Sequence, residues 1–309
     1  MWIIAPLVLA LALLVDRVFG DPRTRFHPVA LLGRFIGWWG IPSKWPAWSH
    51  RGAGVILWIC TAFLFTLPFS LFQVYSPWYL TLLIAPFLLK VCFAWRSLEE
   101  HTCAVVKAMN GTIGDAREKV GLLVSRETAS LDREHILSAG YESMTENLVD
   151  SIVAPVFYFG FAGLAGAAVY RAANTMDAML GYRDERERLG WFSARMDDIL
   201  SYIPARITGL LLLLYFACTG SFRPAWETLC RDARKRPGFN GGIPMAIMAG
   251  GVGIKFEKPG VYSIGNGTKT LDEGGREIIR AVRVITLVFS FLVMITLLIL
   301  GSLTKYSGI

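Results

Sequence analysis

Long apolar blocks alternate with charged segments along the whole chain. Six blocks carry few or no charges: residues 1–15, 52–72, 77–95, 152–169, 207–219 and 284–303. A helix that crosses a bilayer needs roughly 20 apolar residues, and the blocks 52–72 and 284–303 reach that length. Only a short link separates 52–72 from 77–95, so these two blocks are expected to form a helical hairpin. The pattern predicts an all-α, polytopic membrane protein with about four to six membrane helices and amphipathic cytoplasmic helices.

Four of the blocks are short or interrupted. Asp16 follows the first block at once, so we expect a first membrane helix that continues past Asp16 into the protein interior. Lys90 interrupts the third block, and its long side chain is expected to reach the membrane surface. The blocks 152–169 and 207–219 are glycine-rich or poorly bounded, which favours half-inserted or protein-buried helices over lipid-facing spans.

The polar segments divide the chain further. Residues 96–140 place apolar residues at helical spacing among charges, which predicts a soluble insert of two or three amphipathic helices with a turn at Asn110–Gly111. We predict five segments: N-terminal membrane helices with an interfacial loop (1–95), this soluble insert (96–140), an acidic and arginine-rich core with half-inserted helices (141–220), a basic cytoplasmic loop (221–283), and a last span with a tail (284–309).

Composition and charge exclude several other classes of protein. The chain has 309 residues, of which 54% are hydrophobic, and its mean hydropathy of +0.46 is too high for an ordinary soluble globule. The net charge of +7 is concentrated in two loops and fits the positive-inside rule rather than a nucleic-acid partner. Both loops are therefore expected on the cytoplasmic side of the cell membrane. Four tryptophans of the first loop are expected to anchor it among lipid headgroups: Trp38, Trp39, Trp45 and Trp48. Five cysteines without a C-x-x-C pair argue against a disulfide scaffold or a zinc site.

An acidic stripe borders one of the membrane-type blocks. Glu142, Glu146 and Asp150 are spaced four apart, so on a helix they share one face. A second carboxylate beside a bilayer raises the cost of ionising the first unless a cation lies between them. Mg²⁺ is the natural candidate, because it prefers oxygen ligands and is typically held by one or two carboxylates and by substrate phosphates.

Further oxygen and guanidinium groups follow downstream. Asn174 and Asp177, three residues apart, share a helix face and can supply oxygen ligands. Asp197 and Asp198 are adjacent, so at most one of them needs to face the same site. Arginines offer forked donors to phosphate or carboxylate groups, and three are candidates for this role: Arg171, Arg183 and Arg206.

A turn after the first block carries another group of titratable residues. Asp16, Asp21 and His27 lie at a membrane boundary, where a functional role and a simple capped turn are both compatible with the sequence. No stretch matches G-x-x-x-x-G-K-S/T, so the chain has no P-loop. From spacing alone, the sequence predicts an oxygen-rich site for Mg²⁺ and phosphate on the cytoplasmic face.

A set of polar motifs runs in order from the N-terminus to about residue 285. The set comprises Asp16-x-x-Phe19-Gly20-Asp21-Pro22, His27-Pro28-Val29, Glu146-Asn147-x-x-Asp150-Ser151, Asn174-x-x-Asp177, Gly181-Tyr182-Arg183, Asp197-Asp198 and Pro204-Ala205-Arg206. Together these motifs resemble the CobD/CbiB family of cobalamin biosynthesis. The specificity of the resemblance lies in the whole set and its order, and the resemblance is loosest between Asn240 and Tyr262.

The resemblance implies an enzyme. Members of the family are polytopic membrane proteins taken to be adenosylcobinamide-phosphate synthases. This implies an ATP-dependent C–N ligase that joins an aminoalcohol phosphate, usually aminopropanol phosphate, to the propionate carboxyl of adenosylcobyric acid. The cofactors implied are ATP and Mg²⁺. The partners implied are the corrinoid, the aminoalcohol phosphate, membrane lipid and other late cobalamin-pathway membrane enzymes.

The resemblance also suggests roles for particular residues. Mg²⁺ would be bound by Glu146, Asp150 and Asp177. The nucleotide would be bound by Asn147, Asn174, Asp197 and Asp198. Arg183 and Arg206 would neutralise developing charge or grip the aminoalcohol phosphate, and either Asp21 or His27 would take a proton from the attacking ammonium.

A membrane transporter or a sensor is the alternative, with the same carboxylates binding an ion or a substrate. A transporter is expected to show repeated halves with paired broken helices, and the sequence contains no such repeat.

Overall fold

The computed structural model describes residues 4–21 and 25–306, with side chains as far as residue 303. The described chain is mostly helical. Its helices are α1 (Ala5–Phe19), α2 (Pro28–Trp39), α3 (His50–Tyr75), α4 (Trp78–Cys92), α5 (Trp95–Ala108), α6 (Ile113–Gly121), α7 (Arg133–Leu148), α8 (Ala154–Leu180), α9 (Glu187–Cys218), α10 (Phe222–Asp232), α11 (Gly242–Val252) and α12 (Leu271–Tyr306). Two 3₁₀ turns, Pro42–Lys44 and Ala47–Ser49, lie between α2 and α3, and a π-helical turn, Val149–Val153, joins α7 to α8. The strands β1 (Lys255–Lys258) and β2 (Tyr262–Gly265) form one antiparallel hairpin.

Four stretches of helix are long and apolar enough to cross a membrane: Ala47–Tyr75, Arg133–Leu180, Glu187–Cys218 and Leu271–Leu303. Helices α4 and α5 form a fifth candidate if the pair, bent by 41°, counts as one broken span. Large apolar side chains such as Phe63 and Phe291 are exposed on these helices, as expected for surfaces that face lipid. The prediction of an all-α, polytopic membrane protein is confirmed.

The first helix continues past Asp16 and ends at Phe19, as the sequence predicted. Within the described residues α1 has 15 residues, which is shorter than the roughly 20 that span a bilayer core. Residues 1–3, the start of the first block, lie outside the described residues. So does Pro22, which belongs to the predicted turn.

The blocks 152–169 and 207–219 are parts of longer helices, and their half-insertion or burial within the protein stays a prediction. They are the apolar parts of α8 and α9, which have 27 and 32 residues. Arg171 follows the first block and Arg206 precedes the second, and both lie inside the helices α8 and α9. A helix continues through such residues because its backbone hydrogen bonds do not depend on side-chain polarity. The kink at Ala162 and Gly163, where Gly163 has a φ of 68°, divides α8 into a shorter N-terminal part and a longer C-terminal part.

The basic segment 221–283 is more ordered than a loop. It contains α10, α11 and the β1–β2 hairpin, and α12 begins at Leu271 instead of near residue 284. The hairpin turn includes Gly260, whose φ of 71° favours glycine. The charged first turns of α12 hid its start from a hydropathy pattern.

The chain divides into two compact units. Unit 1 consists of Met1–Ala94, Ala154–Ser201 and Ser290–Ile309, and unit 2 of Trp95–Val153 and Tyr202–Phe289. In unit 1, α2, α3, α8 and α9 share an apolar core around Ile36, Trp39, Trp58 and Met176. Trp39 is buried and donates a hydrogen bond to the Thr61 hydroxyl at 3.1 Å. Its expected role as an anchor in the headgroup layer is therefore wrong, because its ring belongs to the core.

In unit 2, α7 packs against α5, α11 and β1. Two side chains cap helices as acceptors: Thr112 receives the Asp115 N–H at 3.1 Å, and Asp132 receives the His135 N–H at 2.9 Å. The first cap follows the turn predicted at Asn110–Gly111, which separates α5 from α6. This unit thus encloses the N-terminal part of the acidic stripe on α7.

Candidate functional site

The residues predicted to form the site divide between the two units. Unit 1 contains Asp21, His27, Asn174, Asp177, Arg183, Asp197 and Asp198, and unit 2 contains Glu146, Asn147, Asp150 and Arg206. The two groups are therefore described separately. Their convergence in one pocket stays a prediction.

A buried lysine links two aspartates in unit 1. Lys90, near the C-terminal end of α4, places Nζ 2.8 Å from Asp16 Oδ1 and 2.6 Å from Asp21 Oδ1. Lys90 is only 5% exposed and Asp16 is fully buried. The expectation that Lys90 extends to the membrane surface is wrong, because a buried carboxylate offers the ammonium a closer partner.

His27 lies beside this ion cluster. It is the residue before α2, and its Nε2 is 3.9 Å from Asp21 Oδ1. Burial lowers the pKa of His27, and the positive charges of Lys90 and Arg171 lower it further. The negative charge of Asp21 raises the pKa but does not outweigh these effects. His27 is therefore neutral near pH 7, and a neutral imidazole can accept a proton.

Arg171 on α8 brings a second positive charge to the same part of unit 1. Its guanidinium lies within electrostatic range of Asp21 and Cys92. Its Nε is buried and has no hydrogen-bond partner in the described part of the chain. The N-terminal charge cluster, as the group is called below, consists of the side chains of Asp16, Asp21, His27, Lys90 and Arg171.

Helices α8 and α9 bring together a second polar group of unit 1. Asn174 Nδ2 donates a hydrogen bond to Asp197 Oδ1 at 3.2 Å. Asp177 lies three residues after Asn174 on α8 and Asp198 lies next to Asp197, and both are partly buried. Arg183, in the link between α8 and α9, is exposed and has no ion pair among the described residues. Asn174 and Asp197, two of the residues predicted to bind the nucleotide, are thus in direct contact.

Glu142 is the most enclosed carboxylate of the stripe in unit 2. It accepts hydrogen bonds from the Ser138 hydroxyl, from the Tyr262 hydroxyl at 2.6 Å and from Arg126 Nη2 at 3.4 Å. The Ser138 oxygen in turn accepts the Glu257 N–H at 2.7 Å. Glu142 therefore fastens the β1–β2 hairpin to α7 and has a structural role.

Tyr262→Phe is expected to destabilise unit 2 by about 1.5–3 kcal/mol, the usual contribution of a hydrogen bond to a charged group. Burial, with the negative charge of Glu142, raises the pKa of Tyr262 well above its ordinary range. The Tyr262 hydroxyl therefore contributes fully to the stability of unit 2 below about pH 10. This contribution to stability is lost as the pH rises through the raised pKa of Tyr262. Thermal unfolding in detergent measures the loss. Tyr75→Phe, at an exposed tyrosine, is the control, and an equal loss in both variants would contradict the assignment.

Glu146 is one helical turn further along α7 and has a different partner. It forms an ion pair with Arg236 Nη2, from the segment between α10 and α11. Burial alone would lower the pKa of Arg236, but Glu146, Tyr262 and Asp150 outweigh it and the pKa is raised. Arg236 is therefore a fixed positive charge beside these carboxylates.

Asp150 lies in the π-helical turn that follows α7. The stripe predicted from a spacing of four residues thus reaches Asp150 at the point where the helix widens. Single π turns inside α-helices occur frequently at functional sites. Asp150 is partly buried and within electrostatic range of Arg236.

The remaining two predicted residues of unit 2 form hydrogen bonds within that unit. Asn147 donates from Nδ2 to Ser143 O at 2.9 Å and accepts the Ser151 hydroxyl at 3.0 Å. Arg206 donates from Nη1 to Asn240 Oδ1 at 2.7 Å, and its guanidinium lies 3.4 Å from the centre of the Tyr202 ring. Arg206 thus holds the segment before α11 in place.

Two functional candidates were missed at the level of sequence, Lys90 and Arg236. A charge inside an apolar block signals a buried partner, and this rule would have found Lys90. Arg236 lies near the three residues Asn240-Gly241-Gly242. A Cβ built on Gly241 would be 2.7 Å from Arg236 Cζ, so this glycine leaves the space in which the guanidinium lies.

The carboxylates of unit 2 have the chemistry that Mg²⁺ prefers. Within residues 4–21 and 25–306, no three histidine, cysteine or carboxylate side chains are grouped closely enough to hold a metal ion by themselves. Mg²⁺ is commonly held by one or two carboxylates with substrate phosphates completing its shell. Glu146 and Asp150 fit that pattern, with Arg236 as a neighbouring positive charge for a phosphate.

Comparison with known proteins gives consistent matches. The family described as CobD/Cbib protein matches residues 9–288. A probable cobalamin biosynthesis protein CobD from Methanothermobacter thermautotrophicus is 43% identical over 268 residues, covering 86% of this chain and 88% of that protein. Its counterpart of the same description from Thermococcus kodakarensis is 40% identical over 304 residues, covering 97% and 96%. A cobalamin biosynthesis protein CobD from Pelobacter propionicus is 38% identical over 264 residues, covering 83% and 81%.

No solved structure matches the chain. The family match covers most of the chain, including every residue predicted for the site, and it supports a role in cobalamin biosynthesis. The resemblance predicted from the ordered motifs is confirmed, and the chain belongs to the CobD/CbiB family.

Proposed function

We propose that this protein is an adenosylcobinamide-phosphate synthase. It would join the amine of an aminoalcohol phosphate, such as aminopropanol phosphate, to the propionate carboxyl of adenosylcobyric acid, using ATP. The observation that carries the proposal is the family match over residues 9–288, which include both the N-terminal charge cluster and the Glu146, Asp150 and Arg236 group.

The reaction needs an activated carboxyl group. A carboxylate oxygen attacks the γ-phosphorus of ATP, the bond from that phosphorus to ADP breaks, and an acyl phosphate forms. The amine then attacks the acyl carbon, the bond to phosphate oxygen breaks, and the amine loses a proton. The products are the amide, ADP and inorganic phosphate, so the enzyme mainly positions the reactants and neutralises their charges.

The group in unit 2 suits the phosphates of ATP. Glu146 and Asp150 would hold Mg²⁺, which when bound would offset the negative charge of the phosphates. Arg236 supplies a forked positive donor beside them, and its ion pair with Glu146 keeps the guanidinium in a defined place. Asn147 would have to exchange a contact within its own helix before it could bind a nucleotide.

The groups in unit 1 suit proton transfer and further binding. His27, neutral near pH 7, is the better proton acceptor, and Asp21 beside it would orient it. Asp177 would offer a carboxylate oxygen to Mg²⁺, and Asn174, Asp197 and Asp198 would contact the nucleotide. Arg183 is exposed and would bind the phosphate of the aminoalcohol.

The proposed location follows from the substrates. The protein would lie in the cell membrane with its site facing the cytoplasm, where ATP is present. Its partners would be membrane lipid, the corrinoid, the aminoalcohol phosphate and other late cobalamin-pathway membrane enzymes.

The test is an omission experiment with protein purified in detergent. Complete mixtures of adenosylcobyric acid, aminoalcohol phosphate, ATP and Mg²⁺ are expected to give adenosylcobinamide phosphate and an equal amount of ADP. Leaving out any one component should stop the formation of both adenosylcobinamide phosphate and ADP. ATP hydrolysis without product, or no ATP use in the complete mixture, would favour a transporter or a sensor.

Gly241→Ala is expected to lower the rate of amide formation by about 10- to 100-fold, as small misplacements of charged groups can. The added Cβ would be 2.8 Å from Arg236 Nη1 and must move the guanidinium away from Glu146. Stability should change little, because the displaced atoms are the end of a flexible side chain. Gly114→Ala, whose Cβ would meet only Thr112 Oγ1 at 3.6 Å, is the control. Equal rates in the two variants would show that the position of Arg236 does not matter.

A further inference from the structure

The N-terminal charge cluster contains one ammonium that serves two aspartates with different surroundings. Asp16 lies in the last turn of α1 and is fully buried, whereas the Asp21 side chain is 28% exposed. Lys90 lies between them, at 2.8 and 2.6 Å. A lysine needed only to neutralise the buried aspartate would not have to reach the second, more open carboxylate.

Helix ends make this position more negative still. Asp16 lies in the last turn of α1, and Lys90 two residues before the end of α4. The C-terminal end of a helix carries a partial negative charge, which favours a cation and disfavours an aspartate. Lys90 thus compensates for the two carboxylates and for both helix ends.

We propose that Lys90 is a positioning residue. Its ammonium, held in place by Asp16, keeps the Asp21 carboxylate beside His27 Nε2, so that the imidazole is oriented as the proton acceptor for the attacking amine. The inference rests on the proposed function, in which His27 takes that proton. His27 and Asp21 are both partly accessible, so an amine can reach them.

The electrostatics of the cluster agree with this role. The groups that face His27 are Asp21, Lys90 and Arg171, and burial together with the two cations keeps the pKa of His27 below its usual value. Loss of the Lys90 charge should therefore raise the pKa of His27. Loss of the Asp21 charge should lower it further.

The test measures His27 directly by NMR titration of histidine-labelled protein in detergent. The chain has four histidines, and His27→Gln assigns the relevant signal. Asp16→Asn/Lys90→Met removes the buried pair together. Because the positive charge of Lys90 is lost, the pKa of His27 is expected to rise, and because Asp21 is no longer held beside the imidazole, kcat is expected to fall by about 10-fold or more. The acidic limb of the kcat profile should move to higher pH by the same amount as the pKa of His27.

A second variant keeps the test decisive if the double variant does not fold. Asp21→Asn leaves the buried pair intact and should lower the pKa of His27. Lys90 would be a purely structural residue if the His27 titration were unchanged in Asp21→Asn. The same conclusion would follow if the double variant kept the wild-type His27 titration and the wild-type rate. If wild-type protein forms no amide although His27 responds as expected, the proposed reaction fails and the cluster geometry stands.

Discussion

Asp150→Asn is expected to lower the rate of amide formation by about 100-fold or more, the usual effect of removing one preorganised electrostatic group. Asparagine keeps the shape of the side chain and one oxygen ligand but loses the negative charge. Asp150 lies in the π-helical turn after α7, within electrostatic range of Arg236 and near the end of the helix that carries Glu146. The variant should also need more Mg²⁺, which initial rates over a series of Mg²⁺ concentrations measure.

Glu118→Gln is the matched control for this experiment. Glu118 is a carboxylate of the same unit, exposed on α6, and within the described part of the chain its one ion pair is with Lys119 at 3.4 Å. An exposed pair of this kind contributes little to stability, so its loss should leave both the rate and the Mg²⁺ requirement unchanged. A wild-type rate with wild-type Mg²⁺ dependence in Asp150→Asn would remove Asp150 from the proposed metal site.

Gly54→Ala is expected to destabilise the protein by about 2–3 kcal/mol, the upper range for overpacking a tight contact. A Cβ on Gly54 of α3 would be 2.1 Å from the backbone oxygen of Leu189 in α9. Gly54 and Leu189 both lie in unit 1. The obstacle is a backbone atom, which cannot rotate away as a side chain can. Thermal unfolding in detergent, followed by tryptophan fluorescence, measures the loss.

Gly52 offers a control two residues away in the same helix. A Cβ there meets nothing within 4 Å. Alanine is also more favourable than glycine in a helix by up to about 1 kcal/mol, so Gly52→Ala should be as stable as wild type or slightly more stable. A comparable loss in both variants would mean that the close approach of α3 and α9 is not what Gly54 provides.

The membrane architecture was accessible from the sequence because its driving force is local. A block such as 284–303 is apolar whatever the rest of the chain does, and a helix is the form that satisfies its backbone. The extents of α8 and α9 were not accessible, because hydropathy measures side chains whereas helix continuation depends on backbone hydrogen bonds. Arg171 and Asn174 lie inside α8 for this reason.

The partners of charged residues were the hardest part to predict. Lys90 was expected at the membrane surface, and its buried partner Asp16 is far away in sequence. By spacing alone Glu142 and Glu146 are equivalent, because both lie on one stripe. Folding distinguishes them, since β2 supplies a tyrosine to Glu142 and the segment before α11 supplies Arg236 to Glu146. Such pairings depend on tertiary contacts that no spacing rule contains.

The transfer of oxygen from substrate to phosphate tests the proposed reaction most directly. Adenosylcobyric acid labelled with ¹⁸O in its free carboxylate would be converted with ATP, Mg²⁺ and aminopropanol phosphate, and the phosphate released would be analysed by mass spectrometry. Activation through an acyl phosphate predicts one ¹⁸O atom in each inorganic phosphate for each amide formed. Amide formation with unlabelled phosphate, or ATP hydrolysis that leaves all the label in the corrinoid, would contradict the account.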